Sequence, residues 1–423
     1  MTYSAPAAAS AAPLPYARRD VRLFWWAGTC DALGSQTAGF VLPLLLLSLG
    51  RSPAEVGAVA GLSAAATLVL GPLAAVPADR GARKQVMVGA AVVSAGAMTG
   101  VTVAVAAGPV PLAVLLAAVL VERCASACYE AASLGTLAFV CPPEEHRRVL
   151  SRLQAGERGA LVVGPALGGL LFAVGAWLPF LVDALSYAVA AGGVRAMRSD
   201  LAPRPEQRPP AGTPRRAWRA LFAEAGAGVT LLRREPFLRL ALVWISAVNA
   251  LLVALYYTTV FALQDHGRSA APLGLVLALA GAAGLAGALA APRLARRHAA
   301  ASVLVPVSWL LVPPAVALAV ARDAWQFGLL FGLLCFLTPS ATVALQARII
   351  QLTPPALQAR TGTVLATASG AAAALSPALA GLFADRAGAG ATFAGCAVLL
   401  AVLALYVTCV APRRTRGTEE ETG

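Results

Sequence analysis

The chain has 423 residues, of which 59% are hydrophobic and 13% charged. Soluble domains run near 25% charged, and a large soluble fold must keep its surface polar, so an ordinary soluble enzyme is excluded. The net charge of +13 comes from 32 arginines and one lysine, Lys84. These residues lie between long apolar runs, not in a basic soluble domain, so nucleic acid is excluded as a partner. An arginine bias of this kind is what a GC-rich bacterial genome is expected to produce. The long continuous runs also exclude a membrane β-barrel, whose strands are short and alternating.

The apolar runs predict twelve membrane-spanning helices, at 23–49, 56–77, 86–107, 111–131, 159–176, 178–195, 238–262, 272–291, 301–320, 324–345, 362–383 and 391–410. Each is near the 20 residues a bilayer requires. The Ala/Gly/Leu/Val richness suits helices that approach closely in lipid. Residues 1–17 are an Ala/Pro-rich tail with no apolar stretch before Arg18 and Arg19, so no cleavable signal is expected. Between the sixth and seventh runs lies the only long connection, 196–236. It opens Pro/Arg-rich and then carries Trp218, Leu221, Phe222 and Ala225 at helical spacing. That pattern fits either an amphipathic helix on the membrane surface or a solvated basic linker. The division expected is 18–195 for a first six-helix bundle, 237–411 for a second, and 412–423 for a tail.

Orientation follows from the basic residues. Twenty-eight fall in one set of connections and ends, and four (Arg51, Arg268, Arg322, Arg386) in the other, with Arg123 inside a run. Both termini are therefore expected in the cytoplasm. Seven cysteines and three histidines form no metal-ligand spacing, and no GxxxxGK[ST] phosphate loop is present. No cofactor is expected.

The two halves repeat. ADRGARK at 78–84 matches APRLARR at 291–297, CPPEEHRR at 141–148 matches TPPALQAR at 353–360, and GPALGGLLF at 164–172 matches SPALAGLFA at 376–384. The offsets are 212 or 213 throughout. Parallel repeats of this kind place a binding site near the bilayer midplane between the halves. With this pattern the chain resembles the major facilitator superfamily over nearly all of 18–411. PADRGARK at 77–84 resembles that superfamily's loop 2–3 motif, and VVGPALGGLL at 162–171 its fifth-helix antiporter motif. LPFLVDALSYAVAA at 178–191, FVCPPEEHRR at 139–148 and LLRREPFLRLAL at 231–242 are similar to the drug:proton antiporter branch that includes macrolide-efflux and enterobactin-export proteins. Two departures stand out. Ala82 replaces a motif glycine, and Pro292 replaces the acid of the second copy, so any locking function should sit in the first copy.

A charge at a helix centre costs about 2.5–3.5 kcal/mol on insertion scales, so each one in a run invites a role. Asp31 lies among small residues in the first run. Desolvation favours a neutral carboxyl and a nearby cation favours the charged one, and an acid between those extremes can carry a proton across. The alternative is a packing Asp bonded to Ser35 or backbone. Glu122 and Arg123 are neighbours on the fourth run and point about 100° apart, so both cannot face a cavity squarely. Arg123 matches a mid-helix arginine recurrent in related antiporters, where it would hold Asp31 or Glu122 charged. The alternative is a static ion pair. Asp183, near the outer end of the sixth run, reads as structural.

The resemblance further implies a latch. Asp79, with Arg80 beside it in the loop motif, would meet the amino end of helix eleven, and Arg83 would pair with Glu130. Gly164, Pro165, Gly168 and Gly169 form the antiporter-motif helix. Gln36, Asn249, Tyr256 and Tyr257 are cavity candidates, although interfacial anchoring fits the tyrosines equally. The function expected is proton-coupled efflux of a small amphipathic drug or secondary metabolite, by a monomer in the bacterial cytoplasmic membrane. Metabolite uptake by symport or facilitation on the same fold is the alternative. A membrane-embedded enzyme has no triad, metal cluster or nucleotide loop to support it.

Overall fold

The computed structural model describes residues 17–77, 83–134, 136–141, 143–199, 201, 235–265, 270–295 and 300–410. These fold into helices and short connections: α1 (Ala17–Ser48), α2 (Pro53–Pro77), α3 (Arg83–Ala107), α4 (Leu112–Leu134), α5 (Leu137–Val140), α6 (Pro143–Val174), α7 (Leu178–Ala196), α8 (Pro236–Asp265), α9 (Ala270–Ala295), α10 (Ala300–Leu310), α11 (Val312–Leu318), α12 (Ala324–Leu352) and α13 (Pro355–Val410). Ten helical stretches among the described residues are long and apolar enough to cross a membrane. The last of them, within α13, is two spans long and is broken at Gly388, whose φ of 82° and ψ of 162° suit only glycine. With α7 added, the set is consistent with twelve crossings.

The structure refines the expected spans at four places. The fifth span begins at Pro143, not near 159, so Arg148, Arg152 and Arg158 ride on a helix and not in a loop. Apolarity misses this first half because it is amphipathic. Its start is nonetheless well formed, with Pro at the first helical position and Glu144 and Glu145 in the first turn, where acids suit the helix dipole. The ninth span is divided at Leu311 into α10 and α11, with Pro313 and Pro314 just beyond the break. The expected loop at 384–390 is helical apart from the Gly388 break. The one-turn α5 was not expected. The surface helix read around Trp218 lies outside the described residues.

Successive spans alternate in direction, so both described ends lie on one face, the terminal face. The opposite face carries the tight turns, where Gly50 and Gly108 take positive φ. There Ser52 and Glu55 form a capping box: the Glu55 carboxylate accepts from the Ser52 amide at 2.9 Å, and the Glu55 amide donates to Ser52 Oγ at 3.3 Å.

In the first half α1 packs on α6 and α7, and α3 on α4 and α7. In the second, α8 packs on α13 and α9 on α12. Trp244 is fully buried, and its indole N–H donates to Ser308 Oγ at 2.9 Å, joining α8 to α10. The halves meet along two seams, α2 on α13 and α6 on α9. Both seams are built from small residues near the opposite face. A Cβ at Gly57 would strike the Pro377 carbonyl, and one at Gly381 the Pro53 carbonyl. A Cβ at Gly274 would strike the Pro165 carbonyl and lie 3.1 Å from Gly169 Cα. Only glycine allows backbones this close.

Candidate functional site

Two adjoining compartments open between these helices. One, of about 480 Å³, lies toward the opposite face and is lined by both halves. Phe40, Leu46, Val59, Leu277 and Phe331 make most of its wall apolar. Ser35, Gln36, Ser63, Thr67, Tyr256 and Tyr257 supply polar points, and Arg123 supplies charge. The other, of about 560 Å³, lies toward the terminal face within the first half. Asp31, Ser126, Tyr129, Glu130, Glu157 and Arg158 line it, again with Arg123. Ser35, Gln36, Arg123 and Leu161 border both compartments, so the two adjoin along these residues.

Arg123 is held in place from behind. Its Nε donates to Glu122 Oε2 at 2.6 Å. Glu122 is turned away from both compartments and only 2% exposed. Its Oε1 accepts from Tyr187 Oη at 2.6 Å and from Ser126 Oγ at 2.7 Å. The Tyr187 hydroxyl also lies 3.0 Å from Ser35 Oγ, so the network ties α1, α4 and α7 together. The carboxylate accepts three hydrogen bonds, enough to fix both it and the guanidinium it faces.

Asp31 borders the polar compartment, and its buried Oδ1 has no hydrogen-bond partner among the described residues. The same holds for the Tyr129 hydroxyl, in the same wall. Glu130 is exposed to this compartment. Arg83 lies with its guanidinium 4.8 Å from the centre of the Phe139 ring. Asp79 and Arg80 lie outside the described residues.

Of the other residues singled out in the sequence, Gln36 borders both compartments and Tyr256 and Tyr257 border the apolar one, their rings edge-to-face at 5.2 Å. Asn249 is exposed and donates to Ser369 Oγ at 3.0 Å, bridging α8 to α13. Gly164, Pro165, Gly168 and Gly169 are all buried on α6. Gly164 and Gly168 press on α1, where added methyls would meet Gln36 Cβ at 2.6 Å and the Thr37 carbonyl at 2.8 Å. Pro165 and Gly169 press on α9 of the other half. Asp183 is buried beside Ser186, against Gly34.

Sequence reasoning missed three groups. Tyr187 and Ser126 complete the Glu122 network, and the signal was available, because a mid-span phenol needs a partner. Asp20 is fully buried, and its Oδ2 accepts from the Arg198 amide (2.9 Å), the Ser199 amide (2.7 Å) and Ser199 Oγ (2.6 Å). Lys84 donates to the Met197 carbonyl at 2.6 Å. Together they fasten the end of α7, where exposed carbonyls favour a cation.

The family model described as the Major Facilitator Superfamily matches residues 24–342, well over half of the chain. The chain belongs to the major facilitator superfamily. It is a multi-pass membrane protein with a transporter fold. Among solved structures it is similar to a bacterial homolog of the human lysosomal transporter Spinster in an inward-facing, unoccupied conformation. That match has 14% identity and a TM-score of 0.71 over 95% of this chain and 98% of that one. The nucleoside transporter NupG, in a mutant form, gives 12% identity and a TM-score of 0.72 over 93% and 99%. The human organic anion transporter MFSD10 gives 18% identity and 0.64 over 93% and 100%. At these identities the likeness is one of fold. No curated protein matches the sequence.

Proposed function

We propose that this facilitator-fold protein exports a small amphipathic molecule by alternating access, in exchange for protons. The observation that supports the reading is the pair of adjoining compartments that share Ser35, Gln36, Arg123 and Leu161. The apolar one is walled by both halves, and the polar one holds an unpartnered carboxyl oxygen on Asp31. A volume of about 480 Å³ is within the usual range for small-molecule sites. Its mostly apolar wall with a few polar points suits an amphipathic guest. The small-residue seams close the opposite face, so the proposed cytoplasmic orientation of the terminal face makes this the inward-facing state. Arg123 borders both compartments and stands where it senses the substrate and the charge on Asp31 alike.

In this reading Asp31 takes up and releases the proton. Glu122, fully occupied by its three donors, positions Arg123. Asp79, Arg80, Arg83 and Glu130 bias the two arrangements of the halves without touching substrate. The α6 motif supports antiport through its place between α1 and α9, because a helix packed that closely on both halves moves as they rock. The protein works as a monomer in the bacterial cytoplasmic membrane, with a cytoplasmic linker over 196–236. No catalytic residue is assigned. The test is transport of labelled candidate compounds in proteoliposomes with an imposed pH gradient. Uphill accumulation that collapses with a proton uncoupler supports the reading. Accumulation indifferent to the gradient refutes it.

A further inference from the structure

The terminal ends of α1 and α6 form a basic patch that the cavity does not use. The two helices pack together and run in the same direction, and the Trp25 indole N–H donates to the Arg152 carbonyl at 2.9 Å. That bond sets Arg152 level with Trp25, and Arg148 one turn closer to the terminal face. On α1, Arg18, Arg22 and Trp26 follow at intervals of four residues and therefore share a stripe. All five of these side chains, Trp25 excepted, are exposed, and Trp26 is 57% exposed although it is large and apolar. On α1, Asp20 is fully buried and engaged with Ser199, so it does not neutralise the stripe, whereas on α6 the exposed Glu144 stands one turn before Arg148 with Glu145 beside it, so four arginines against two acids leave the patch net positive.

Four arginines and an exposed indole on two adjoining helix ends, with two acids among them, match one kind of partner. We propose that this seam seats an anionic phospholipid, its phosphate among Arg18, Arg22, Arg148 and Arg152 and its glycerol and upper acyl chain against Trp26. Basic clusters at the ends of spans attract anionic headgroups, and Trp favours the interfacial level. A free phosphate would use the arginines and leave Trp26 without a role.

The test is lipid retention by the purified full chain in detergent, read by native mass spectrometry with anionic and zwitterionic phospholipids of the same acyl composition. The anionic lipid should be retained preferentially. Arg22→Gln with Arg152→Gln should weaken its apparent affinity about 25-fold, from roughly fivefold per arginine, and leave the zwitterionic lipid unchanged. Trp26→Ala should weaken retention while sparing any binding of inorganic phosphate. Arg51→Gln with Arg322→Gln, on the opposite face, should change nothing. Equal retention of both lipids, equal loss in the opposite-face variant, or full displacement by inorganic phosphate with no effect of Trp26→Ala overturns the proposal. Because the readout is lipid bound and not substrate moved, it stands or falls apart from the transport reading.

Discussion

The two glycine seams make the closure at the opposite face unusually easy to perturb. An added methyl at Gly57 would overlap the Pro377 carbonyl and sit 3.2 Å from Ala378 Cα, and both obstacles are backbone. Neither can rotate away, so α2 and α13 must part by roughly an ångström to restore ordinary contact. Overpacking of this kind costs about 1–3 kcal/mol. The cost falls on the closed arrangement alone if the seam parts when the opposite face opens. Gly57→Ala should therefore shift the equilibrium between arrangements by roughly 5- to 150-fold toward opening there. Gly274→Ala perturbs the other seam, against Pro165 and Gly169, and the two should reinforce each other. The assay is labelling of Ser63→Cys, in the wall of the apolar compartment, by a membrane-impermeant thiol reagent added from the opposite face. The background chain has its seven native cysteines replaced by serine. Labelling should accelerate about tenfold or more in either glycine variant. Gly96→Ala is the control, since its added methyl meets nothing within 4 Å. If both seam variants label at the control rate, the seams do not gate access from that face.

Asp31→Asn should abolish uphill transport driven by a pH gradient while downhill equilibration persists; gradient-driven accumulation at the normal level would move the coupling acid elsewhere. Tyr187→Phe should remove one of the three donors to Glu122 and cost about 1–3 kcal/mol, read as a lower melting temperature in detergent together with a slower transport rate. Asp20→Ala strands two backbone amides and the Ser199 hydroxyl, so it should lower the melting temperature further and expose the chain just after α7 to protease. A reporter active only in the cytoplasm, fused after residue 423, should be active; silence there would invert the proposed orientation.

The fold was largely legible because its strongest signals are long-range averages. Twelve apolar runs survive errors at any single position. What was lost was local. The first half of α6 is helical through amphipathicity and capping, not through apolarity, so a reading of apolar runs began that span too late. The Gly388 turn was read as a loop because Asp385, Arg386, Gly388 and Gly390 interrupt the run, although one residue at positive φ suffices to reverse the chain. At the site, the charges in the runs were easy to nominate because they are rare there. Their relations were not. The 100° between Glu122 and Arg123 showed that they must diverge, but the sequence does not say that Tyr187, 65 positions away, turns Glu122 inward.

The repeat illustrates how far sequence alone can reach. Laid at an offset of 212, Pro165 falls on Pro377 and Gly169 on Gly381. In the structure these four residues do the same work on opposite sides of the molecule. The Pro165 carbonyl faces Gly274 of α9, and the Pro377 carbonyl faces Gly57 of α2. Gly169 lies against the same Gly274, and Gly381 against Pro53. Each half thus contributes one proline-bearing helix and one glycine-bearing helix, and each proline helix meets the glycine helix of the other half. A proline in the helix deprives the carbonyl four residues earlier of its usual donor and so lets the helix bend toward its neighbour. The second copy keeps this small-residue pattern while losing the motif's acid to Pro292. Packing between the halves requires both copies, since a seam on one side alone would let the opposite face gape. A charged latch has no such requirement, and one copy suffices to bias the two arrangements.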